Sequence, residues 1–162
     1  MCKVRSGRAG DHIPERTIML FKDYHWYPMF LGVKTYTRRL WTNKRVKVGG
    51  EYPVTHKMIY EPEDIVGYIH VSEIYKQQLK CMTEEEAYKE GAYTVETYRK
   101  VLCEITKSPW EELQYAVPYV VKFTFRPSDM IDPNGGDAMK MEYFMKWKLH
   151  MIKIGMNIWE HT

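Results

Sequence analysis

No apolar run in this chain approaches the roughly 20 residues that a membrane-crossing helix needs. Residues 1–16 are polar and basic, without an apolar stretch of signal-peptide length, so a cytoplasmic location is expected and membrane association is not. Cysteine is scarce. Cys2, Cys81 and Cys103 are odd in number and far apart, with no C-x-x-C pair, so a disulfide framework and a cysteine-rich zinc site both lack support. The six histidines are scattered, and no two stand at metal-ligand spacing with a carboxylate. Neither a metal nor a cofactor is expected. Repeats and low-complexity tracts are absent as well. The most informative absence is local: residues 32–50 contain no acidic side chain.

In that acid-free stretch stand Lys34, Arg38, Arg39, Lys44, Arg45 and Lys47, while the whole chain carries a formal charge of only +3. Positive charge is therefore concentrated. Tyr36 and Trp41 are interleaved with it. Cations neutralise phosphates and aromatic faces stack on bases, so the stretch suits a partner bearing phosphate or nucleobase. A solvated loop and strand with ordinary surface lysines would show the same composition. The remaining composition is that of a globular protein, 44% hydrophobic and 28% charged over 162 residues, which favours one domain. Thirteen Tyr and five Trp can supply a core, a stacking surface or both.

The patterning predicts a mixed α+β chain in three parts. Residues 1–16 read as a loose arm, 17–126 as the domain, and 127–162 as a linker and helix. The apolar run 17–21 reads as a buried strand. Residues 23–31 fit one or two helical turns with Pro28 in a first turn, ended by Gly32 at the helix C-terminal glycine position. Val46 and Val48 alternate with Lys47 before the Gly49-Gly50 turn signal and read as a basic strand. Residues 51–58, 66–75 and 117–125 read as further strands, with a polar turn at 61–64 and Pro118 at a strand start or edge. Thr83-Glu84-Glu85-Glu86 is a capping box that opens a short helix ending near Gly91. Thr94 caps a second helix with Val95, Tyr98, Val101, Leu102 and Ile105 at helical spacing. Pro109 marks the start of a third. Ala138, Met141, Met145, Leu149, Ile152 and Met156 recur every three or four residues and predict an amphipathic C-terminal helix. Docking of that stripe on the barrel is the expectation, with one mixed barrel and no second independent core. A Met-rich partner interface, such as a homodimer through this helix, is the alternative.

A strand, a short helix, Gly32-Val33-Lys34-Thr35-Tyr36-Thr37-Arg38-Arg39, then later strands followed by Met82-Thr83-Glu84-Glu85-Glu86-Ala87 and Glu90-Gly91, form an order that resembles the ASCH domain family. That family is a branch of the PUA-like superfamily, and the likeness is to its compact archaeal and bacterial type, over roughly residues 17–125. The resemblance implies a PUA-like, partly open β-barrel with short flanking helices, here with an appended C-terminal amphipathic helix. It also implies a basic cleft that binds RNA or a nucleotide. In one branch of the family it further implies an amidohydrolase that deacylates N4-acylated cytidine. Carried onto this chain, the catalytic set of that branch is Lys34, Thr37 and Glu90.

The chemistry of those side chains is coherent. A Thr hydroxyl becomes a nucleophile only when a base takes its proton, and a buried Lys beside other cations can be neutral enough to do so. Lys34 and Thr37 can face each other only if the chain bends between them. Glu90 can protonate the leaving amine, and Arg39 can steady an oxyanion or a phosphate. Two functions therefore stay open. One is an RNA- or nucleotide-binding module that uses Arg38, Arg39, Lys44, Arg45, Lys47, Tyr36 and Trp41. The other is a deacylase of a modified nucleoside that uses Lys34, Thr37 and Glu90. The basic 44–47 segment exceeds what a free nucleoside requires and favours a larger nucleic-acid ligand. A protein-interaction module acting through the Met-rich helix is a third class.

Overall fold

The computed structural model of the chain describes residues 3–5, 17–128 and 136–156. Its strands are β1 (Lys3–Arg5), β2 (Met19–Leu20), β3 (Tyr36–Arg39), β4 (Glu51–Thr55), β5 (Gly67–Gln77) and β6 (Tyr119–Pro127). Its α-helices are α1 (Trp26–Phe30), α2 (Glu84–Lys89), α3 (Val95–Thr106), α4 (Trp110–Leu113) and α5 (Gly136–Lys153). They form a curled, half-barrel sheet with short helices around it. The sheet order is β2-β4-β5-β6-β3, and β1 also pairs with β5. All pairings are antiparallel except β2 with β4. Apart from Lys3–Arg5, the expected 1–16 arm lies outside the described residues.

β5 is the organising strand. β6 runs along one of its edges, from Gly67↔Pro127 to Lys76↔Tyr119. The other edge is shared by β4 at its beginning and β1 at its end. Between Val71 and Glu73 the register slips, leaving Ser72 as the extra residue, and its hydroxyl donates to the Lys122 carbonyl at 3.2 Å. An extra residue of this kind bends a strand and increases its twist, which curls the sheet. Pro118 sits just before β6, where its missing N–H costs no ladder bond.

The local signals act as their chemistry dictates. Thr83 and Glu86 close a reciprocal capping box at α2, and Thr94 accepts from the Thr97 amide at α3. Gly32, at φ +75°, ends α1: its amide donates to the Met29 carbonyl and the Val33 amide to the Pro28 carbonyl, the paired bonds of a Schellman cap. Pro28 is the third residue of α1, after a 3-10 turn at Asp23–His25. The basic strand expected at 46–48 is absent. Val46 is fully buried, but Val48 is exposed, and the segment 40–50 is irregular. Its backbone joins β5 only at Gly49 and Gly50, through Val71.

Buried apolar residues form two main clusters rather than one. The first lies on the sheet and includes Phe21, Trp26, Met29, Val54, Ile69, Val71 and Phe123. The second lies among the helices and includes Leu79, Ala87, Tyr93, Tyr98, Val101 and Leu113. α5 reaches both, placing Tyr143 in the first and Met151 in the second, with Ile154 just beyond the helix joining the second. The face that docks is not the Met stripe. Met141, Met145, Leu149 and Ile152 are 60%, 43%, 62% and 48% exposed. Tyr143 instead stacks on Phe30 and meets Trp26 edge-on, and Trp147 packs on Tyr27. The aromatic face buries more area per residue than the Met face can, and that decides which way the helix turns. Cys103 is a free thiol, whereas Cys81 is disulfide-bonded, a bond that the number and spacing of the cysteines had not supported. Among the described residues no helix is long and apolar enough to cross a membrane.

Candidate functional site

The region between the two apolar clusters is polar, and the residues around the two sequence motifs build it. The Schellman cap of α1 turns the chain so that the Lys34 amide also donates to the Pro28 carbonyl. Thr35 then ties the first motif to the second: its amide donates to the Lys89 carbonyl at the end of α2, and its carbonyl accepts from Phe123 of β6. Lys34 thus lies before β3 begins, and Thr37 within it.

A cavity of about 670 Å³ opens here. Lys34, Thr37, Arg38, Arg39, Glu90 and His25 all line it. Leu40 and Ile105, both half-exposed, also line it and give it an apolar border. Lys34 is 2% exposed. Its ammonium donates to the Glu90 carbonyl at 2.6 Å and the Tyr36 carbonyl at 2.9 Å, and lies 3.5 Å from Glu90 Oε2. Burial lowers its pKa to about 8; Glu90 opposes the shift, and Arg39 and Arg38 add to it. Lys34 is therefore a lysine that can give and take a proton near neutral pH.

Glu90, 1% exposed, is surrounded by donors. Arg38 Nη1 reaches Oε1 at 2.6 Å, and the Tyr98 hydroxyl donates to Oε2 at 2.9 Å. Its carboxylate thus accepts from Lys34, Arg38 and Tyr98. In this geometry Glu90 holds Lys34 and Arg38 in place. Arg38 is buried in turn. Its Nη2 donates to Gln77 Oε1 at 2.6 Å and to Glu86 Oε2 at 2.8 Å. Glu86 also accepts from the Tyr75 hydroxyl at 3.1 Å.

Thr37, on the opposite face of β3 from Arg38, accepts at Oγ1 from Arg39 Nε at 3.0 Å. Arg39 is held by the Leu20 carbonyl at 2.7 Å and lies 4.6 Å above the Phe21 ring. Burial lowers its pKa to about 10, so it remains cationic at neutral pH.

The remaining basic and aromatic candidates stand elsewhere. Tyr36 is buried with Tyr75 and Val120, and the Lys89 and Lys122 ammonium groups each lie 5.3 Å from its ring. Trp41 packs against the sheet cluster near Tyr119. Arg45 and Lys47 are exposed on the irregular segment, and Lys44 is half-buried there. Sequence reading missed Gln77, Glu86, Tyr98 and His25 as site residues. Glu86 and Tyr98 were legible only in other roles, as a cap and as an apolar helix position. Nothing in the spacing of Gln77 or His25 marks them. No cluster of His, Cys, Asp and Glu fit for a metal occurs among the described residues.

No protein-family model matches the chain, and no curated protein matches it by sequence. Among solved structures it is similar to the ASCH domain from Lactobacillus crispatus, at 14% identity and a TM-score of 0.53, over 67% of this chain and 77% of that one. An ASCH protein variant from Zymomonas mobilis also matches, at 14% identity and a TM-score of 0.42, over 68% of this chain and 72% of that one. With the half-barrel topology already described, the first of these likenesses shows the fold of the chain: it is that of an ASCH domain.

Proposed function

We propose that the cavity accepts an N4-acylated cytidine, free or within RNA, and that the chain hydrolyses its acyl amide. The observation that carries this reading is the convergence of Lys34, Thr37 and Glu90 on one cavity, with Lys34 lowered to about 8. A volume of about 670 Å³ lies in the range of small-molecule sites. Thr37 Oγ1 attacks the acyl carbonyl carbon and gives its proton to the neutral Lys34 amine. The developing oxyanion lies near Arg39, whose Nε already holds Thr37 Oγ1. Collapse breaks the C–N bond as the Lys34 ammonium returns the proton to N4, and cytidine leaves. Water, deprotonated by Lys34, then cleaves the acyl-Thr37 ester, and the proton returns to Thr37 Oγ1. Glu90 and Arg38 position Lys34 throughout.

Exposed Arg45 and Lys47 support a second part of the reading, RNA contact through phosphates beside the cavity. The test is incubation of the pure chain with N4-acetylcytidine and with an RNA containing it. Cytidine and acetate are expected, together with a transient acetyl adduct on Thr37 by mass spectrometry. Thr37→Ala and Lys34→Met should abolish release. Glu90→Gln should lower kcat more than it raises KM, because a misplaced Lys34 hurts the transition state most. No acetate from either substrate, with RNA still bound, would leave only the binding reading.

A further inference from the structure

His25 lines the cavity but has no part in the mechanism above. It is the inner end of a chain of three hydrogen-bonding groups. His25 Nε2 lies 2.7 Å from the Tyr93 hydroxyl, and that hydroxyl lies 2.6 Å from His150 Nε2. His25 and Tyr93 are buried, while His150 on α5 is half-exposed and stacked on Tyr24 at 3.7 Å. Gly91, next to Glu90, makes room for the arrangement: at φ +151° a Cβ there would stand 3.0 Å from the Tyr93 ring and 3.4 Å from the His25 ring.

The hydroxyl carries one proton. Where both bonds form, Tyr93 donates to one imidazole and accepts from the other, so the two neutral rings carry opposite tautomers. Neutrality has causes on every side. His25 is desolvated and faces Lys34, His150 and Arg39, which hold its pKa well below the ordinary value. His150 is lowered to about 4 by burial, with Glu104 opposing and Lys153 adding. Tyr93 is raised by burial and by Tyr24 and Glu90.

We infer that His25, Tyr93 and His150 form a proton relay that carries the proton released by each turnover from the cavity to the α5 side of the molecule. This inference rests on the hydrolase reading. Amide hydrolysis yields a carboxylic acid and a neutral arylamine, so ionisation of the acid leaves one surplus proton. The acid's proton passes to His25 Nδ1, the ring nitrogen not engaged by Tyr93. The proton on His25 Nε2 moves to the Tyr93 oxygen, the Tyr93 proton moves to His150 Nε2, and the proton on His150 Nδ1 leaves to solvent. One proton enters and one leaves. Both rings end neutral in the other tautomer and return by exchange with water.

The experiment has two arms. In the first, 15N NMR of histidine-labelled wild-type protein at neutral pH reads the tautomers. One ring protonated at Nδ1 and the other at Nε2 is expected; the same tautomer on both rings overturns the relay. In the second, steady-state acyl release over many turnovers, which needs the surplus proton cleared between cycles, is measured for wild type, Tyr93→Phe and His150→Gln, with and without free imidazole. Both variants should slow by roughly 100-fold, the lower end of what a positioned proton-transfer group contributes. Added imidazole should restore them, which a merely structural defect would not allow. Unchanged rates, or slow rates indifferent to imidazole, overturn it. If wild type releases no acyl group, the hydrolase reading fails, and the relay falls with its proton source even where the first arm finds opposite tautomers.

Discussion

The two halves of the acid-free basic stretch have similar composition and opposite fates. Lys34, Arg38 and Arg39 turn inward, line the cavity and find partners within 3 Å among carbonyls, Thr37, Gln77, Glu86 and Glu90. Arg45 and Lys47, a few residues on, stand in solvent. The difference teaches that clustered charge alone says little about solvation. What separates the halves is backbone: residues 36–39 are a paired strand facing α2, whereas 40–50 follow no ladder.

The largest expected effect breaks this contrast at its inner half. Arg38→Ala leaves Glu90 and Glu86 buried or half-buried without their guanidinium, and should cost about 3–5 kcal/mol in urea unfolding. Arg45→Ala should stay within about 0.5 kcal/mol by the same measurement, as surface changes usually do. Equal costs would erase the distinction.

The next effect is on the pH dependence of stability. Lys34 has a folded pKa of about 8, below its ordinary 10.5. Between those values the unfolded chain binds more protons than the folded one, so stability rises with pH across that window. Lys34→Met should remove that rise, read as the difference between the two proteins' unfolding curves from pH 8 to 10. On the acid side the two imidazoles work in the same sense. His25 and His150 are lowered when folded, so acidification from about 6.5 towards 4 favours the unfolded chain, which takes up protons the folded rings refuse. His150→Gln should flatten part of that loss.

How much of this was legible depended on the range of each signal. Gly32, Thr83, Glu86 and Thr94 act on atoms one to four residues away, and they sit where their chemistry requires. The resemblance of the two motifs brought Lys34, Thr37 and Glu90 forward as a set. The partners of Arg38 could not be read, because Gln77 and Glu90 are 39 and 52 residues distant and meet it only through the sheet. The same holds for α5. Its Met stripe has the better helical period, yet Tyr143 and Trp147 choose the docked face because Trp26, Tyr27 and Phe30 wait for them. Val46 and Val48 alternate like a strand, but no neighbouring edge pairs with them.

The smallest expected effect belongs to the outer half. If Arg45 and Lys47 contact phosphates of a single-stranded RNA, each Ala substitution should reduce the log–log salt slope of binding by about 0.7 while leaving cleavage of the free nucleoside unchanged.

The most direct test of the account compares the halves on one reaction: the rate of cytidine formation from N4-acetylcytidine by wild type, Lys34→Met and the Arg45→Ala, Lys47→Ala double variant. The account predicts that wild type and the double variant form cytidine at the same rate and that Lys34→Met forms none. No cytidine from wild type, or loss in the double variant with Lys34→Met still active, would contradict it.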